Sequence, residues 1–200
     1  MKIFKCGEID IKSFFRKGVN NIEEPYGNFL VNGRMGSGKT YFCVKTAYEL
    51  KDKFKIKTNI KSLHIPGANI QYFTEITELY TDFEERCLYI IDELGKKYTK
   101  ENKQDKDFYN WLQMSRKLKK IVFLIHQEYL LVPNWLRGAC IECYTTSKIP
   151  FVPLFFTSKG NPVLNPDTLE WTIDTNYWFI YKRNKFIANL YNTFETVANL

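Results

Sequence analysis

The stretch Asn28–Phe42, with the sequence NFLVNGRMGSGKTYF, decides the fold of this chain. Its apolar run NFLVN reads as a strand, and helix-forming residues follow the glycine-rich loop. The loop GRMGSGKT (Gly33–Thr40) fits the pattern G-x-x-x-x-G-K-[ST] at every fixed position. Glycines in such a loop let backbone N–H groups turn toward a phosphate at the N-terminus of the next helix. The stretch therefore predicts a phosphate-binding loop between a strand and a helix.

Side chains of this loop add to the phosphate contacts of its backbone. Lys39 supplies a positive charge for the β- and γ-phosphates, and the hydroxyl group of Thr40 is a ligand for Mg²⁺. We therefore predict ATP and Mg²⁺ as cofactors. The predicted nucleotide-binding residues are Gly33, Arg34, Met35, Gly36, Ser37, Gly38, Lys39, Thr40 and Tyr41.

A second apolar run, CLYIIDE (Cys87–Glu93), ends in two adjacent carboxylates. A continuous apolar run is typical of a central strand covered on both faces, and we expect this strand to be adjacent to the loop. Asp92 would then hold Mg²⁺ through water, and Glu93 would orient or deprotonate the attacking water. A surface turn with two acids is the alternative. A small-molecule kinase needs no water-activating Glu, so the pair favours hydrolysis of ATP.

Three further side chains are candidates for sensing and catalysis. The strand IVFLIHQ (Ile121–Gln127) ends in His126 and Gln127. We predict that Gln127 contacts the γ-phosphate or the attacking water, and that His126 faces the flanking layer. Arg116, just before this strand, is a candidate arginine finger for a neighbouring subunit's site, or else a surface arginine in a basic run. Arg137 is the competing candidate.

Composition indicates one folded domain in a reducing compartment. The chain has 200 residues, of which 44% are hydrophobic, enough for one core. Cys140 and Cys143 form a lone CxxC pair without a second pair, so we expect two small buried side chains instead of a zinc site. We expect no signal peptide and no membrane span, because the apolar run Ile149–Phe156 is short and broken by prolines. These features predict a soluble, cytoplasmic protein.

Most of the positive charge lies in one segment. Between Leu94 and Ile121 there are eight Lys and one Arg against three acidic residues, in a chain of net charge +7. The segment is either a solvated helix face or a surface that binds a polyanion. The loop Lys96–Lys106 directly follows the two carboxylates, and we predict that it contacts DNA. The predicted DNA contacts are Lys96, Lys97, Lys100 and Lys103.

The remaining segments alternate between strand and helix patterns. Strands are expected over Phe54–Ile60, over a short run at NIQYF and over Ile141–Ser147; helices are expected over Thr40–Lys53, Thr74–Glu85 and Asp107–Lys120. From Pro150 the tail is β-rich, with WTIDTNYWFIYKR and KFIANLYNTFETV separated by a charged turn. This order predicts an α/β P-loop NTPase with a mostly parallel central sheet flanked by helices, plus a β-rich C-terminal part.

We predict a single ATPase domain over the whole chain. Residues 1–27 would form an N-terminal segment, residues 28–147 the ATPase core, and residues 148–200 an extension that completes the sheet.

The three stretches GRMGSGKT, LYIIDE and SRKLKKIVFLIHQ occur in this order along the chain. The arrangement resembles the HerA–FtsK superfamily of DNA-pumping ATPases, and within it the virus genome-packaging ATPases and the Zot-like proteins of filamentous phages. KIKTNI is similar to the Thr-Asn strand of the Zot-like group. LYNTFETV is similar to a Tyr-Asp-Thr strand near the C-terminus of such proteins. The resemblance covers Asn28–Ser147 and that last strand, whereas Pro150–Asp174 matches nothing.

The resemblance implies a RecA/ASCE-like fold and a ring, a hexamer or pentamer, with ATP between subunits and double-stranded DNA through the middle. Zot-like phage proteins usually carry a membrane span and a periplasmic domain, which we do not expect here. This favours packaging DNA into a capsid, with a capsid vertex protein as partner, in the host cytoplasm or associated with the virion. The alternatives are a Zot-like or scaffold ATPase for virion assembly or extrusion without DNA pumping, and a nucleotide or small-molecule kinase.

Overall fold

One eight-stranded sheet organises residues 26–192, the part of the chain that the computed structural model describes. Its strands are β1 (Gly27–Asn32), β2 (Lys55–Thr58), β3 (Ile70–Tyr72), β4 (Cys87–Ile91), β5 (Ile121–His126), β6 (Glu142–Lys148), β7 (Leu154–Leu164) and β8 (Trp171–Lys182). The helices are α1 (Lys39–Leu50), α2 (Lys106–Met114), α3 (Asn134–Gly138) and α4 (Lys185–Ala188). Short 3₁₀ turns cover Ile76–Leu79, Leu94–Lys96 and Tyr129–Leu131.

The strand order across the sheet is β3-β2-β4-β5-β1-β6-β7-β8. All pairs from β3 to β6 are parallel, whereas β7 and β8 are added antiparallel. This confirms the predicted α/β class with a mostly parallel sheet. Strand β4, which ends in the two acids, is separated from the loop strand β1 by β5. Parallel strands still bring their carboxyl ends to one edge of the sheet, so the acids and the loop meet there.

Two hydrophobic layers cover the sheet, because alternate residues of its buried strands face opposite sides. On one side α1 and α4 pack against β1, β4 and β5; the side chains in this layer include Phe29, Val31, Phe42, Val44, Ile90, Phe123 and Ile187. On the other side α2 and α3 pack against the same strands, through side chains that include Leu30, Tyr89, Phe108, Trp111, Leu124 and Leu136. Within the described residues, every helix is too short or too polar to span a bilayer.

The helix predicted over Thr74–Glu85 is wrong, since this segment contains only the 3₁₀ turn Ile76–Leu79. Glu75, not Thr74, caps the turn in a reciprocal capping box with Glu78. Further along, the carboxylate of Asp82 accepts hydrogen bonds from Lys57 Nζ (2.6 Å) and Tyr89 OH (2.9 Å). These long-range bonds fix Asp82 in a conformation that the local sequence pattern could not reveal.

Other element boundaries also differ from the predictions. Helix α1 ends at Leu50, and α2 ends at Met114, so Arg116 lies beyond the helix that was expected to contain it. The run KFIA was expected in a strand but forms α4, whose first turn is capped by the side chain of Asn184 (2.8 Å to the N–H of Phe186). The strand expected at LYNTFETV lies mostly outside the described residues. The unplaced segment from Pro150 becomes part of the long β7–β8 hairpin.

Lys120, just before β5, is fully buried within the layer formed by α2. Its Nζ donates to the carbonyl oxygen of Asp82 (2.5 Å) and lies 4.9 Å from the ring centre of Trp111 and 5.2 Å from that of Tyr89. Trp111 Nε1 donates to the same carbonyl (3.0 Å), so this acceptor does not depend on the lysine alone. Burial lowers the pKa of Lys120 to about 8, and the nearby Asp82 only partly opposes this effect.

We expect Lys120→Met to stabilise the folded chain by about 1 to 3 kcal/mol at pH 7, because it removes a buried charge and keeps the side-chain volume. Unfolding returns the lysine pKa to about 10.4, so between pH 8 and pH 10 the unfolded wild type binds more protons than the folded one. The lysine's unfavourable contribution therefore fades as the pH rises through this window. Urea unfolding of both proteins at pH 7, 8, 9 and 10 should show the advantage of Lys120→Met shrinking. A constant advantage across this range would contradict the prediction.

Candidate nucleotide site

The phosphate loop joins β1 to the N-terminus of α1, a helix of twelve residues. Gly38 is its N-cap with φ 95°, and no side chain caps the first turn, which leaves backbone N–H groups available to an anion. A Cβ atom at Gly33 would lie 2.3 Å from the carbonyl oxygen of Thr146, and one at Gly38 would lie 2.6 Å from the ring of Phe155. Only glycine fits at these two positions. The cradle therefore fits a phosphate group.

Neighbouring strand β6 anchors the loop through Ser37. Its Oγ lies 2.8 Å from Thr146 Oγ1, and this hydroxyl group also lies 3.4 Å from the carbonyl oxygen of Asn32 at the end of β1. Both hydroxyl groups are buried, so these bonds hold the middle of the loop in place.

Lys39 lies across the mouth of the loop. Its Nζ donates to the carbonyl oxygens of Gly33 (2.7 Å) and Arg34 (3.1 Å). Burial lowers the pKa of Lys39, and the negative charges of Asp92 and Glu93 partly oppose this effect. Because backbone carbonyls are its hydrogen-bond acceptors, the loop holds the amine without neutralising its charge.

Thr40 and Asp92 form the candidate metal site. Thr40 Oγ1 donates to Asp92 Oδ2 at 2.8 Å. Burial raises the pKa of Asp92, while the hydrogen bonds from Thr40 and from the Glu93 N–H, and the charge of Lys39, act in the opposite direction. These hard oxygen ligands suit Mg²⁺. No group of three or more His, Cys, Asp or Glu side chains in residues 26–192 forms a metal cage, so the ion would need phosphate and water oxygens to complete its shell.

Asn59, which the sequence predictions did not include among the site residues, fixes the backbone of Asp92. Its Oδ1 accepts from the N–H of Asp92 (2.8 Å), and its Nδ2 donates to the carbonyl of Asp92 (2.9 Å). Next to it, Thr58 Oγ1 donates to the carbonyl of Ile90 (2.9 Å) and accepts from the N–H of Ile60 (3.1 Å). Thus the Thr-Asn pair at the end of β2 sets the position of the acidic residues. The Thr-Asn pair belongs to the sequence KIKTNI, which was noted above, but only the parallel β2–β4 pairing shows what the pair does.

Glu93 adopts a left-handed backbone conformation, with φ 55° and ψ 33°. Its N–H donates to Asp92 Oδ1 (2.7 Å), and its carboxylate forms an ion pair with Lys96. A left-handed conformation is strained for a residue with a side chain, at a typical cost of about 1 to 3 kcal/mol. Asp92 contacts Thr40, and both acids line the cleft beside the loop.

A cleft of about 890 Å³ opens above the loop. Lys39, Thr40, Asp92, Glu93 and Gln127 all line it, so the structure brings these predicted residues together. Its volume is within the usual range for small-molecule sites.

At the tip of β5, Gln127 and His126 have different surroundings. The side chain of Gln127 is exposed. Its main-chain carbonyl oxygen accepts a hydrogen bond from the N–H of Gly33 (3.2 Å), which connects the end of the strand to the loop. His126 is buried, with Nε2 at 3.2 Å from the carbonyl oxygen of Tyr98. A Cβ atom at Gly95 would lie 2.8 Å from the His126 ring, so the ring packs closely on the turn after β4. His126 also lines the cleft. Contact of Gln127 with a γ-phosphate stays a prediction.

The two arginine candidates have different environments. Arg137 is buried: Nε donates to Val132 (2.9 Å), Nη2 to Leu130 (2.8 Å) and Nη1 to Trp171 (3.2 Å), in each case to the carbonyl oxygen. These bonds hold Arg137 within the fold of its own chain, and its action as an arginine finger stays a prediction.

Arg116 is exposed, and its Cγ would lie 3.5 Å from a Cβ atom at Gly27, at the amino end of β1. The phosphate loop follows the other end of this strand, about 20 Å away. Arg116 therefore does not line the cleft of its own chain, and its action on a neighbouring subunit stays a prediction.

The predicted DNA contacts begin at the edge of the cleft. Lys96 is paired with Glu93 there, Lys100 pairs with Glu170 of the β7–β8 turn (3.1 Å), and Lys97 Nζ lies 5.8 Å from the ring centre of Tyr98. Lys103 is exposed. Ion pairs between exposed side chains contribute about 0 to 1 kcal/mol, so they leave lysines able to bind phosphates. Along the chain, helix α2 lies between these lysines and the second basic run at Arg116.

The C-terminal part of the chain forms one wall of the cleft, which the sequence did not predict. This wall contains Lys148, Phe151, Val152, Pro153, Leu154, Phe155, Arg183, Tyr191 and Asn192. Phe155 packs on Gly38 and lies 5.2 Å from the ring centre of Tyr41, while the N–H of Asn184 donates to Tyr41 OH (2.8 Å). Through these contacts the segments that contain Phe155 and Asn184 are fixed to the first turn of α1.

Solved structures with this architecture include several P-loop ATPases. The N-terminal domain of zonular occludens toxin from Neisseria meningitidis matches with a TM-score of 0.59 and 19% identity, over 83% of this chain and 98% of that domain. The genome packaging NTPase B204 from Sulfolobus turreted icosahedral virus 2, in complex with ATP-γS, matches with a TM-score of 0.51 and 11% identity, over 74% of this chain and 96% of that one.

The amino-acid sequence matches no protein-family model and no curated protein. At these low identities the structural likeness concerns the fold. The chain has the fold of the RecA-type P-loop ATPases.

Proposed function

We propose that this chain is an ATPase that moves double-stranded DNA into a viral capsid. The observation that carries the proposal is the ion pair between Glu93, beside the candidate metal site, and Lys96, the first lysine of the basic loop. This ion pair links the carboxylate of Glu93, which is suited to activate water, to the amine of Lys96, which is suited to bind a DNA phosphate. A contact with DNA would compete for Lys96 and thereby change the environment of Glu93.

The residues of the cleft have separate roles in hydrolysis. Lys39 and the N–H groups at the start of α1 bind the phosphates, and Thr40 and Asp92 would hold Mg²⁺, Asp92 through water. When bound, the ion would neutralise charge on the phosphate oxygens. Glu93 orients a water molecule and accepts its proton, and Gln127 contacts the γ-phosphate from the tip of β5. Asn59 acts indirectly, because it holds the backbone of Asp92.

The lysines of the basic loop bind DNA through its phosphates and therefore without sequence preference. Double-stranded DNA passes through a ring, a hexamer or pentamer, with Arg116 completing a neighbouring subunit's site, and the ring docks on a capsid vertex protein in the host cytoplasm or in the virion. The likeness to a genome packaging NTPase supports this reading.

A second candidate function is a Zot-like or scaffold ATPase for virion assembly or extrusion, which hydrolyses ATP without pumping DNA. The likeness to the toxin domain, with its TM-score of 0.59 over 98% of that domain, favours it. The rate of ATP hydrolysis with and without double-stranded DNA distinguishes the two functions. Stimulation by DNA supports the motor, and a rate that does not respond to DNA favours the assembly ATPase.

We expect the triple substitution Lys97→Ala, Lys100→Ala and Lys103→Ala to weaken DNA binding and to remove DNA stimulation of hydrolysis. Lys96 is left intact because it contacts Glu93. Each phosphate contact contributes about 0.9 to the slope of log K against log salt, so the slope should fall by about 2 to 3. Fluorescence anisotropy with a labelled duplex at several salt concentrations measures this slope.

Three exposed lysines elsewhere, Lys53, Lys61 and Lys185, provide the matched control. Their triple alanine variant loses the same charge and should keep the wild-type slope and the wild-type stimulation. Equal losses in both variants would mean that net charge, and not the basic loop, determines DNA binding. An unchanged slope in the basic-loop variant would contradict the assignment of these lysines.

A further inference from the structure

The loop between β6 and β7, residues 149–153 with the sequence IPFVP, has an unusual composition for a surface loop. It is closed by a hydrogen bond from the N–H of Ile149 to the carbonyl of Leu154 (3.0 Å), and the N–H of Arg183 donates to the carbonyl of Pro153 (2.8 Å). Two prolines restrict its backbone, and the apolar side chains between them point outward. A stiff loop that displays apolar side chains is suited to hold them in place for a ligand.

Phe151 is the most unusual residue of this loop. Its side chain is fully exposed, with a relative accessibility of 105%, and its φ is 64°. A left-handed conformation is strained for an aromatic residue, and an exposed ring gains no packing energy that would offset the strain. Phe151 also lines the candidate nucleotide cleft.

The sheet order gives the cleft two ends. Asp92 and Gln127 follow β4 and β5, on one side of the phosphate loop, and the loop with Phe151 follows β6, on the other side. A triphosphate whose γ-phosphate lies near Glu93 must extend its nucleoside toward the second side. Phe151, Val152 and Pro153 form an apolar wall there, and Arg183 lines the same part of the chain's surface.

We propose that Phe151 stacks on the base of the bound nucleotide, and that the loop of residues 149–153 is the nucleobase site. This inference rests on the proposed ATPase function and adds the residues that bind the base. Stacking uses the face of the ring and therefore favours nucleotides over inorganic polyphosphate without selecting strongly between bases. Arg183 supplies a cation beside the stacked pair.

The test compares two probes, ATP-γS and inorganic tripolyphosphate, each with Mg²⁺, by isothermal titration calorimetry of the full chain. Phe151→Ala should weaken binding of ATP-γS about tenfold, as loss of one stacked base predicts, and leave binding of tripolyphosphate unchanged. Phe151→Tyr keeps the aromatic face and should bind both probes as the wild type does.

Leu169→Ala provides the matched control. Leu169 is also apolar, exposed (66%) and left-handed (φ 53°), but it does not line the cleft. The Leu169→Ala variant should bind both probes as the wild type does.

The inference is overturned if Phe151→Ala binds ATP-γS normally, loses both probes equally, or behaves like Phe151→Tyr. A change of oligomeric state with normal nucleotide binding would also overturn it, because the ring would then serve a subunit contact. Failure of the wild type to bind either probe would count against the proposed ATPase function itself.

Discussion

Replacing Glu93 with glutamine should reduce ATP hydrolysis by about 10²- to 10⁴-fold, the usual contribution of a general base, and leave ATP binding nearly unchanged. The amide cannot accept a proton from water at neutral pH, but it keeps the size of the side chain. Glu93 lies beside the Thr40–Asp92 pair and is not part of it, so the metal and phosphate contacts should survive. Single-turnover hydrolysis and calorimetry with ATP-γS measure the two effects separately.

Glu49→Gln is a suitable control for this prediction. Glu49 forms an ion pair with Lys45 on the surface of α1, so the change also removes one carboxylate that is paired with a nearby lysine. It should leave hydrolysis unchanged. If Glu93→Gln retains most of the wild-type rate, Glu93 is not the base, and another group must activate the water.

Lys39→Ala should lower the affinity for ATP-γS by about 100-fold, because it removes the amine that bonds to the phosphate loop and would bond to the triphosphate. The fold should not suffer, since burial already lowers the pKa of Lys39 and the folded chain gains little from its charge. Thermal unfolding with and without ATP-γS measures both results. The nucleotide should raise the melting temperature of the wild type, and the variant should need about 100-fold more nucleotide for the same increase.

Lys39→Arg tests whether charge alone is sufficient. A planar guanidinium is larger than an amine and does not fit between the carbonyls of Gly33 and Arg34 as the amine does. We expect it to bind ATP-γS weakly as well. Tight binding by Lys39→Ala would show that the backbone N–H groups of the loop are sufficient, and would contradict the role given to the lysine.

Local motifs could be predicted from the sequence because their chemistry needs fixed neighbours. The phosphate loop needs glycine at Gly33 and Gly38, and the acidic pair needs a buried strand before it. Both features leave a pattern within a few residues, and the structure brings Thr40 and Asp92 to 2.8 Å as that pattern implies. The alternating apolar runs likewise predicted the parallel sheet.

Features that depend on distant residues could not be predicted in this way. Asn59 bonds to Asp92 across 33 positions of the chain, and the role of its amide follows only from the β2–β4 pairing. The helix expected after Thr74 does not form as predicted, and the distant residues Lys57 and Tyr89 instead hold Asp82 in place through hydrogen bonds. Arg137 was the competing candidate for the arginine finger, and the three backbone carbonyls that accept its hydrogen bonds became visible only in the fold.

The contact between Phe155 and Gly38 has a mechanical consequence. The ring lies 2.6 Å from the place where a Cβ atom of Gly38 would be, and Phe155 is the second residue of β7 in the long hairpin at the edge of the sheet. The hairpin therefore contacts the phosphate loop directly through this ring, so that a load applied to the hairpin does not have to cross the sheet to reach the loop. If the chain acts as the proposed motor, we expect tension on the hairpin to alter how tightly the nucleotide is held, so that a subunit under strain would exchange its nucleotide at a different rate from a relaxed one.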